Sequence, residues 1–233
     1  MPSSQTLETF DLAERYLRLM RLALTRSLPG SNYAEIPPNS KTVSKALRHA
    51  AYSAVQRALR PFRLSIVQTN RSSGETMMGM GALDNLHSAM HQVIASQVPG
   101  DFVETGVWRG GGTIYMRAFL EAHQIPGRQV WVCDSFEGLP NPKDEYQTMP
   151  SAPIDQIAVL RLDGDMYEST IVVLEHLYPK VSPGGIVIID DHGMLPECNR
   201  AVEDYRSKYA ISEPLRIIGY VSDNPLGAYW CKD

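Results

Sequence analysis

Apolar residues are spaced in two different ways along this chain, and the change falls near Gly100. Before it the spacing is helical. Between Leu7 and Leu28, Leu12, Tyr16, Leu19 and Ala23 recur at intervals of three and four, with Arg15, Arg18, Arg21 and Arg26 among them. This predicts a helix that packs its apolar stripe on a core and turns its arginines to solvent. LPGSNYAEIPPNS, with three prolines and a glycine, then breaks the chain as a loop. Asn39 or Ser40 is placed to cap a second helix, KTVSKALRHAAYSAVQRALR, with a stripe of Val43, Leu47, Ala50, Ala54 and Ala58, ended by Pro61. A third helix is predicted from about Leu83 to Ser96, closing on VPGD.

After Gly100 short apolar runs alternate with helical segments, the pattern of a parallel sheet with crossover helices. Strands are predicted at DFVETG, QVWVCDS, IAVLRLD and GGIVIID, with a weaker closing pair near LRIIGYV and GAYWCKD. Two of these runs stop on acids, Asp163 and Asp165 after one, Asp190 and Asp191 after the other. In an open parallel sheet, ligands bind at the carboxyl ends of the strands where the strand order reverses. The acids therefore mark a candidate site.

The length of 233 residues suits one α/β core with an appended segment. With 22 basic against 26 acidic residues, the net charge of −4 gives no broad cationic face for nucleic acid. Cys133, Cys198 and Cys231 have no C-x-x-C spacing, and their odd number argues against a disulfide framework. No run approaches the roughly 20 apolar residues of a membrane span, and the N-terminus lacks the order of a signal peptide. The expectation is a soluble, cytoplasmic protein that binds neither membrane nor nucleic acid.

In VETGVWRGGGTIYMRAF a strand ends at Glu104 and turns through Gly106, Gly110 and Gly112 into a helix near Thr113. Such a turn lets backbone approach a ligand, and a helix N-terminus attracts an anion, although tight turns also use glycine for steric reasons alone. The next strand ends on Asp134, where an acid commonly takes the hydroxyls of a ribose. Together they describe a nucleoside-bearing cofactor, either a dinucleotide or S-adenosylmethionine. Asp190 and Asp191 alone would suit a helix cap. With Asp163 on the neighbouring strand, crowded carboxylates call for a cation or raised pKa values, and hard oxygen donors point to magnesium, manganese or calcium rather than zinc. A methyltransferase acting on a hydroxyl has a use for that ion; a nicotinamide enzyme has none there.

These residues resemble the macrocin-type sugar O-methyltransferases of antibiotic biosynthesis, a family that includes the noviose methyltransferase. The resemblance rests on ETGVWRGG, DSFEGLP, LRLDGDMYEST, LYPKVSPGG and IIDD, and runs from about Thr76 to Trp230. It implies a Rossmann-like α/β fold of the S-adenosylmethionine-dependent methyltransferases, with S-adenosylmethionine as methyl donor, Mg2+ or Mn2+, and a sugar hydroxyl as usual acceptor. By motif, Glu104, Gly106 and Trp108 would line the methionine and ribose parts of the cofactor. Thr113 would lie near its carboxylate, Asp134 with Ser135 on its ribose, and Thr76 and Met77 over it. Asp163, Asp190 and Asp191 would hold the metal. Some relatives carry a histidine three residues beyond the first metal Asp, but here that position is Met166. Asp165 is then the better base, with Tyr167, Glu168 and His192 as alternatives.

The organisation expected is a helical N-terminal extension over residues 1–75, serving as a lid or homodimer interface, and a methyltransferase core over 76–233. One departure stands out. Between Asp134 and Ile157 the family has a helix and a further strand, whereas SFEGLPNPKDEYQTMPSAPIDQ is too short to supply them. The core therefore lacks a helix–strand segment between 137 and 156. Either that part has dropped out of the sequence, or the chain is a non-catalytic relative serving as a cofactor-binding or assembly protein. Acceptor specificity is expected in the N-terminal helices and the loops around Pro142 and His192.

Overall fold

The computed structural model describes residues 4–27, 74–136, 153–221, 224–225 and 227–233. The predicted second helix, the loop before it and the loop around Pro142 lie outside these. In chain order the elements are α1 (Ser4–Leu24), α2 (Met80–Ala95), β1 (Asp101–Thr105), α3 (Gly111–Ala122), β2 (Val130–Cys133), β3 (Ile157–Leu162), α4 (Tyr167–Leu177), β4 (Val181–Ile189), α5 (Pro196–Lys208), β5 (Arg216–Ile217), β6 (Tyr220–Val221), β7 (Asn224–Pro225) and β8 (Ala228–Cys231). Every strand predicted after Gly100 forms. β4 starts three residues before its predicted glycines, because Val181 pairs with Ile157 before the register shifts and a bulge containing Pro183 and Gly184 intervenes.

Six strands make one sheet in the order β2-β1-β3-β4-β8-β5. The first four run parallel, and β8 lies antiparallel between β4 and β5. From β1 the chain crosses to β2 on one side and returns as β3 on the other. The carboxyl ends of β1 and β3 thus flank the switch in strand order where such folds bind ligands. β2 is the edge among the described residues, and its residues are only half-buried or exposed.

Alternation along the strands builds two cores. Phe102, Val159, Ile186 and Ile188 pack on one face with Leu83, Leu86 and Met90 of α2 and Met116 and Phe119 of α3. Val103, Leu160, Leu162, Val187 and Ile189 pack on the other with Leu174 of α4 and Val202 and Tyr205 of α5. Each such side chain contributes roughly 1.5–3 kcal/mol by burial, so the central strands are fixed firmly and their ends with them.

α1 packs chiefly on α3, but through a different face from the one its apolar pattern suggests. Leu12, Tyr16 and Leu19 are 65%, 46% and 54% exposed, whereas Ala13, Leu17 and Leu24 are buried. The two stripes have the same spacing and are offset by one residue, a rotation of about 100°. Polar contacts decide between them. Glu14 meets histidines of α2, and Arg21 pairs with Asp84 at 3.3 Å and lies over the Tyr115 ring, so this arginine is partly buried rather than in solvent. No described helix is long and apolar enough to cross a membrane.

Candidate active site

The turn after β1 is drawn together by the chain's own groups. Asp134, at the end of β2, accepts hydrogen bonds through Oδ2 from the backbone N–H of Val107 (2.5 Å) and Trp108 (3.0 Å), and through Oδ1 from Phe136 N–H (2.7 Å). Gly106 has φ +73°, and a Cβ there would fall 1.8 Å from the Asp163 carbonyl oxygen. A Cβ on Gly112 would fall 2.0 Å from Glu104 Oε1. Glycine is therefore required at both positions by close internal approach. The acid at the start of α3 is the chain's own Glu104; burial raises its pKa, with Arg161 and the Thr113 amide opposing. Thr113 Oγ1 donates to Gly110 O at 2.9 Å.

Residues 74–78 lie along this turn, since Gly111 N–H donates to Glu75 O (2.9 Å) and Arg109 to Gly74 O (3.2 Å). Thr76 is buried and its hydroxyl accepts from Met78 N–H at 3.0 Å, while Met77 is 51% exposed. The ring of Trp108 stacks under the Arg109 guanidinium at 4.3 Å. Ser135 is exposed beside Asp134. The structure thus gathers Thr76, Glu104, Gly106, Trp108, Thr113 and Asp134 at one end of the sheet.

Beside them, Arg161 enters the rim from β3, fully buried. Its Nη1 donates to Glu104 Oε1 at 2.9 Å, and its Nη2 lies 3.0 Å from Asp163 Oδ2 and 2.6 Å from Asp190 Oδ1. Burial opposes its charge, but the three acids outweigh this and keep it protonated. Arg161 was not among the residues singled out from sequence. The signal was present: a charged residue within an otherwise aliphatic buried strand must find partners.

Asp163, Asp165 and Asp191 each offer a carboxylate oxygen within 4.8 Å of the others. Asp165 has φ +54°, and its N–H donates to Asp191 Oδ2 at 3.1 Å. Asp190 adjoins them but gives one oxygen to Arg161. Burial pushes the Asp163 carboxyl well above the usual carboxylate range, with Arg161 opposing and Asp190 and Asp191 adding to it. Burial, helped by Asp190 and Asp165, brings Asp191 to about 6, and burial with Asp190 also raises Asp165. One arginine does not neutralise these acids together with Glu104. Clustered hard oxygen donors with charge to spare fit a divalent cation of the magnesium or manganese type.

Of the alternative bases, Tyr167 donates its hydroxyl to Asp204 Oδ2 at 3.0 Å and Glu168 is exposed. His192 is partly buried, its pKa lowered by burial, and its Nδ1 makes no hydrogen bond among the described residues.

The sheet order, the glycine-rich turn after β1 and the acids ending β2, β3 and β4 define the class, the S-adenosylmethionine-dependent methyltransferase fold. The profile of one family, Macrocin-O-methyltransferase (TylF), matches residues 13–148 and 145–232. The chain belongs to that family. It is 39% identical over 204 residues to demethyldecarbamoylnovobiocin O-methyltransferase of Streptomyces niveus, covering 68% of this chain and 76% of that protein. It is 35% identical over 220 residues to mycinamicin III 3''-O-methyltransferase of Micromonospora griseorubida, covering 71% and 84%. Among solved structures, the O-methyltransferase NovP superposes with a TM-score of 0.72 at 33% identity, covering 94% of this chain and 99% of that one. The calicheamicin methyltransferase CalS11, 19% identical with a TM-score of 0.51 over 99% of this chain and 94% of that one, shares the fold. The two segments matched by the family profile overlap at residues 145–148, between Asp134 and Ile157.

Proposed function

We propose that this chain transfers a methyl group from S-adenosylmethionine to a hydroxyl of a sugar or glycosylated natural product, with help from a divalent cation. The observation that carries the reading is the convergence of Asp163, Asp165 and Asp191 at the strand switch beside Glu104. The acceptors named for its relatives, demethyldecarbamoylnovobiocin, mycinamicin III and a dimethoxy-rhamnosyl tetracenomycin, support a glycosylated acceptor.

Asp163, Asp191 and the free oxygen of Asp190 would hold the cation, which when bound lowers the pKa of an alcohol and orients it. Glu104 Oε2 is buried and makes no hydrogen bond among the described residues, so it can receive a donor group of the cofactor. Thr76 and Met77 would cover the cofactor, and Asp134 would take its ribose hydroxyls. Asp134 now serves the turn's amides, so the ribose hydroxyls would share its oxygens. Asp165 takes the hydroxyl proton as the oxygen–methyl bond forms and the sulfur–methyl bond breaks. Its raised pKa suits a base working near neutrality.

Titration of S-adenosylhomocysteine by calorimetry tests the cofactor assignment. Binding that weakens in Glu104→Gln supports it; absence of heat with the wild-type chain would move the reading to a non-catalytic binding or assembly protein, which the shortened stretch beside β2 favours.

A further inference from the structure

A second cluster of ligating side chains lies where α1, α2 and the end of α3 meet. Glu14 comes from α1, His87 and His91 from successive turns of α2, and His123 caps the C-terminus of α3. α3 begins at the carboxylate rim and runs away from it for 12 residues, so His123 lies roughly 18 Å from the helix start. This cluster is separate from the candidate active site.

Its geometry converges on one oxygen. Glu14 Oε1 stands 2.9 Å from His91 Nε2 and 3.2 Å from His123 Nε2. The other oxygen, Oε2, is 3.1 Å from His87 Nε2. His123 Nε2 is buried and makes no hydrogen bond among the described residues, despite its nearness to Oε1. A buried ring nitrogen without a hydrogen-bond partner calls for a further group to take its lone pair. Around a tetrahedral ion with ligand distances of about 2.0–2.1 Å, ligand atoms stand about 3.3–3.4 Å apart. Glu14 Oε1 is near that spacing from both ring nitrogens, and all three ligand atoms lie within 4.8 Å of one another.

His87 has another part. Tyr115 Oη lies 2.7 Å from its Nδ1. With the phenol donating there, Nε2 carries the proton and donates to Glu14 Oε2, which holds the carboxylate with Oε1 toward the other two rings. Phe119 lies 4.8 Å from the His91 ring and 4.6 Å from the His123 ring, and Phe10 lies 6.1 and 5.7 Å from the same two rings. Such an apolar shell strengthens charge-based ligation.

We propose that Glu14, His91 and His123 bind a transition-metal dication of the zinc type, with water completing the coordination, and that the ion staples α1 to α2 and α3. Two imidazoles with one carboxylate suit zinc or cobalt and not magnesium. His87 is a positioning residue that orients Glu14. The site does not depend on the methyl-transfer reading.

The test uses the full, untagged chain stripped of metal and titrated with Co2+, followed by visible absorption and by metal analysis after desalting. One tightly bound ion with an intense four-coordinate spectrum, displaced by Zn2+ but not by excess Mg2+, is the expected result. His91→Gln and His123→Gln should each weaken binding by about tenfold or more. Asp163→Asn should leave it unchanged, which separates this ion from one at the carboxylate rim. Zn2+ should raise the Tm of the wild type and not that of Glu14→Gln. A folded wild-type chain that retains no Co2+ would overturn the proposal, and this arm needs no variant. Equal uptake by the wild type and by folded His91→Gln or His123→Gln would overturn it as well.

Discussion

Arg161 sits in a strand whose other five residues are aliphatic and buried, and its guanidinium is shared by Glu104, Asp163 and Asp190. Removing one partner of a buried ionic group costs about 3–5 kcal/mol, because the others are left without compensation. Arg161→Leu should therefore lose that much stability in urea at neutral pH, and the loss should shrink at acid pH as the carboxyls take up protons. Asp191 makes the opposite case. Its folded pKa of about 6 lies above its unfolded value, so the folded chain holds the extra proton between the usual carboxylate range and pH 6. Stability from this group is present at low pH and lost as pH rises through that window. Asp191→Asn should flatten the slope and, without added cation, stabilise the fold at pH 7 by up to about 3 kcal/mol; an unchanged urea midpoint between pH 4 and 7 would contradict this. The acids themselves were legible, because each ends an apolar run. Which oxygens converge was not, since that depends on the left-handed turn at Asp165 and on the share of Asp190 taken by Arg161.

At the scale of elements, the strands of the sheet could be read because burial on both faces demands continuous apolar runs of strand length. The face of α1 could not. Its two apolar stripes are one residue apart, and the choice rests on Glu14 and Arg21 finding partners on α2 and α3, which no periodicity contains. Leu17→Ala should cost about 2–5 kcal/mol, as a fully buried leucine does, whereas Leu19→Ser should change stability by less than about 0.5 kcal/mol. Thermal denaturation of the two variants settles the rotation of the helix; equal losses would contradict it. The glycine-rich turn was legible as a turn, but its glycines answer to Glu104 and Asp163 instead of to a ligand. Gly112→Ala should drive the Glu104 carboxylate from its place, and both stability and cofactor binding should fall.

For the whole molecule, the sheet carries its switch in strand order between β1 and β3, and the turn after β1, the acids after β3 and β4 and the end of β2 all open there. Chain order and crossover pattern made that place predictable. Contacts between segments far apart in sequence, such as residues 74–78 along the turn or Glu14 among three histidines, depend on packing that sequence spacing does not encode. Val132 of β2 and Phe136 just beyond it are exposed. The most direct measurement is transfer of labelled methyl from S-adenosylmethionine to a panel of glycosylated acceptors bearing free sugar hydroxyls, with Mg2+ and with chelator, for the wild type and Asp163→Asn. Label in an acceptor that requires the cation and disappears in the variant is the predicted result; a folded chain that binds S-adenosylhomocysteine yet labels none of the panel would contradict methyl transfer as its activity.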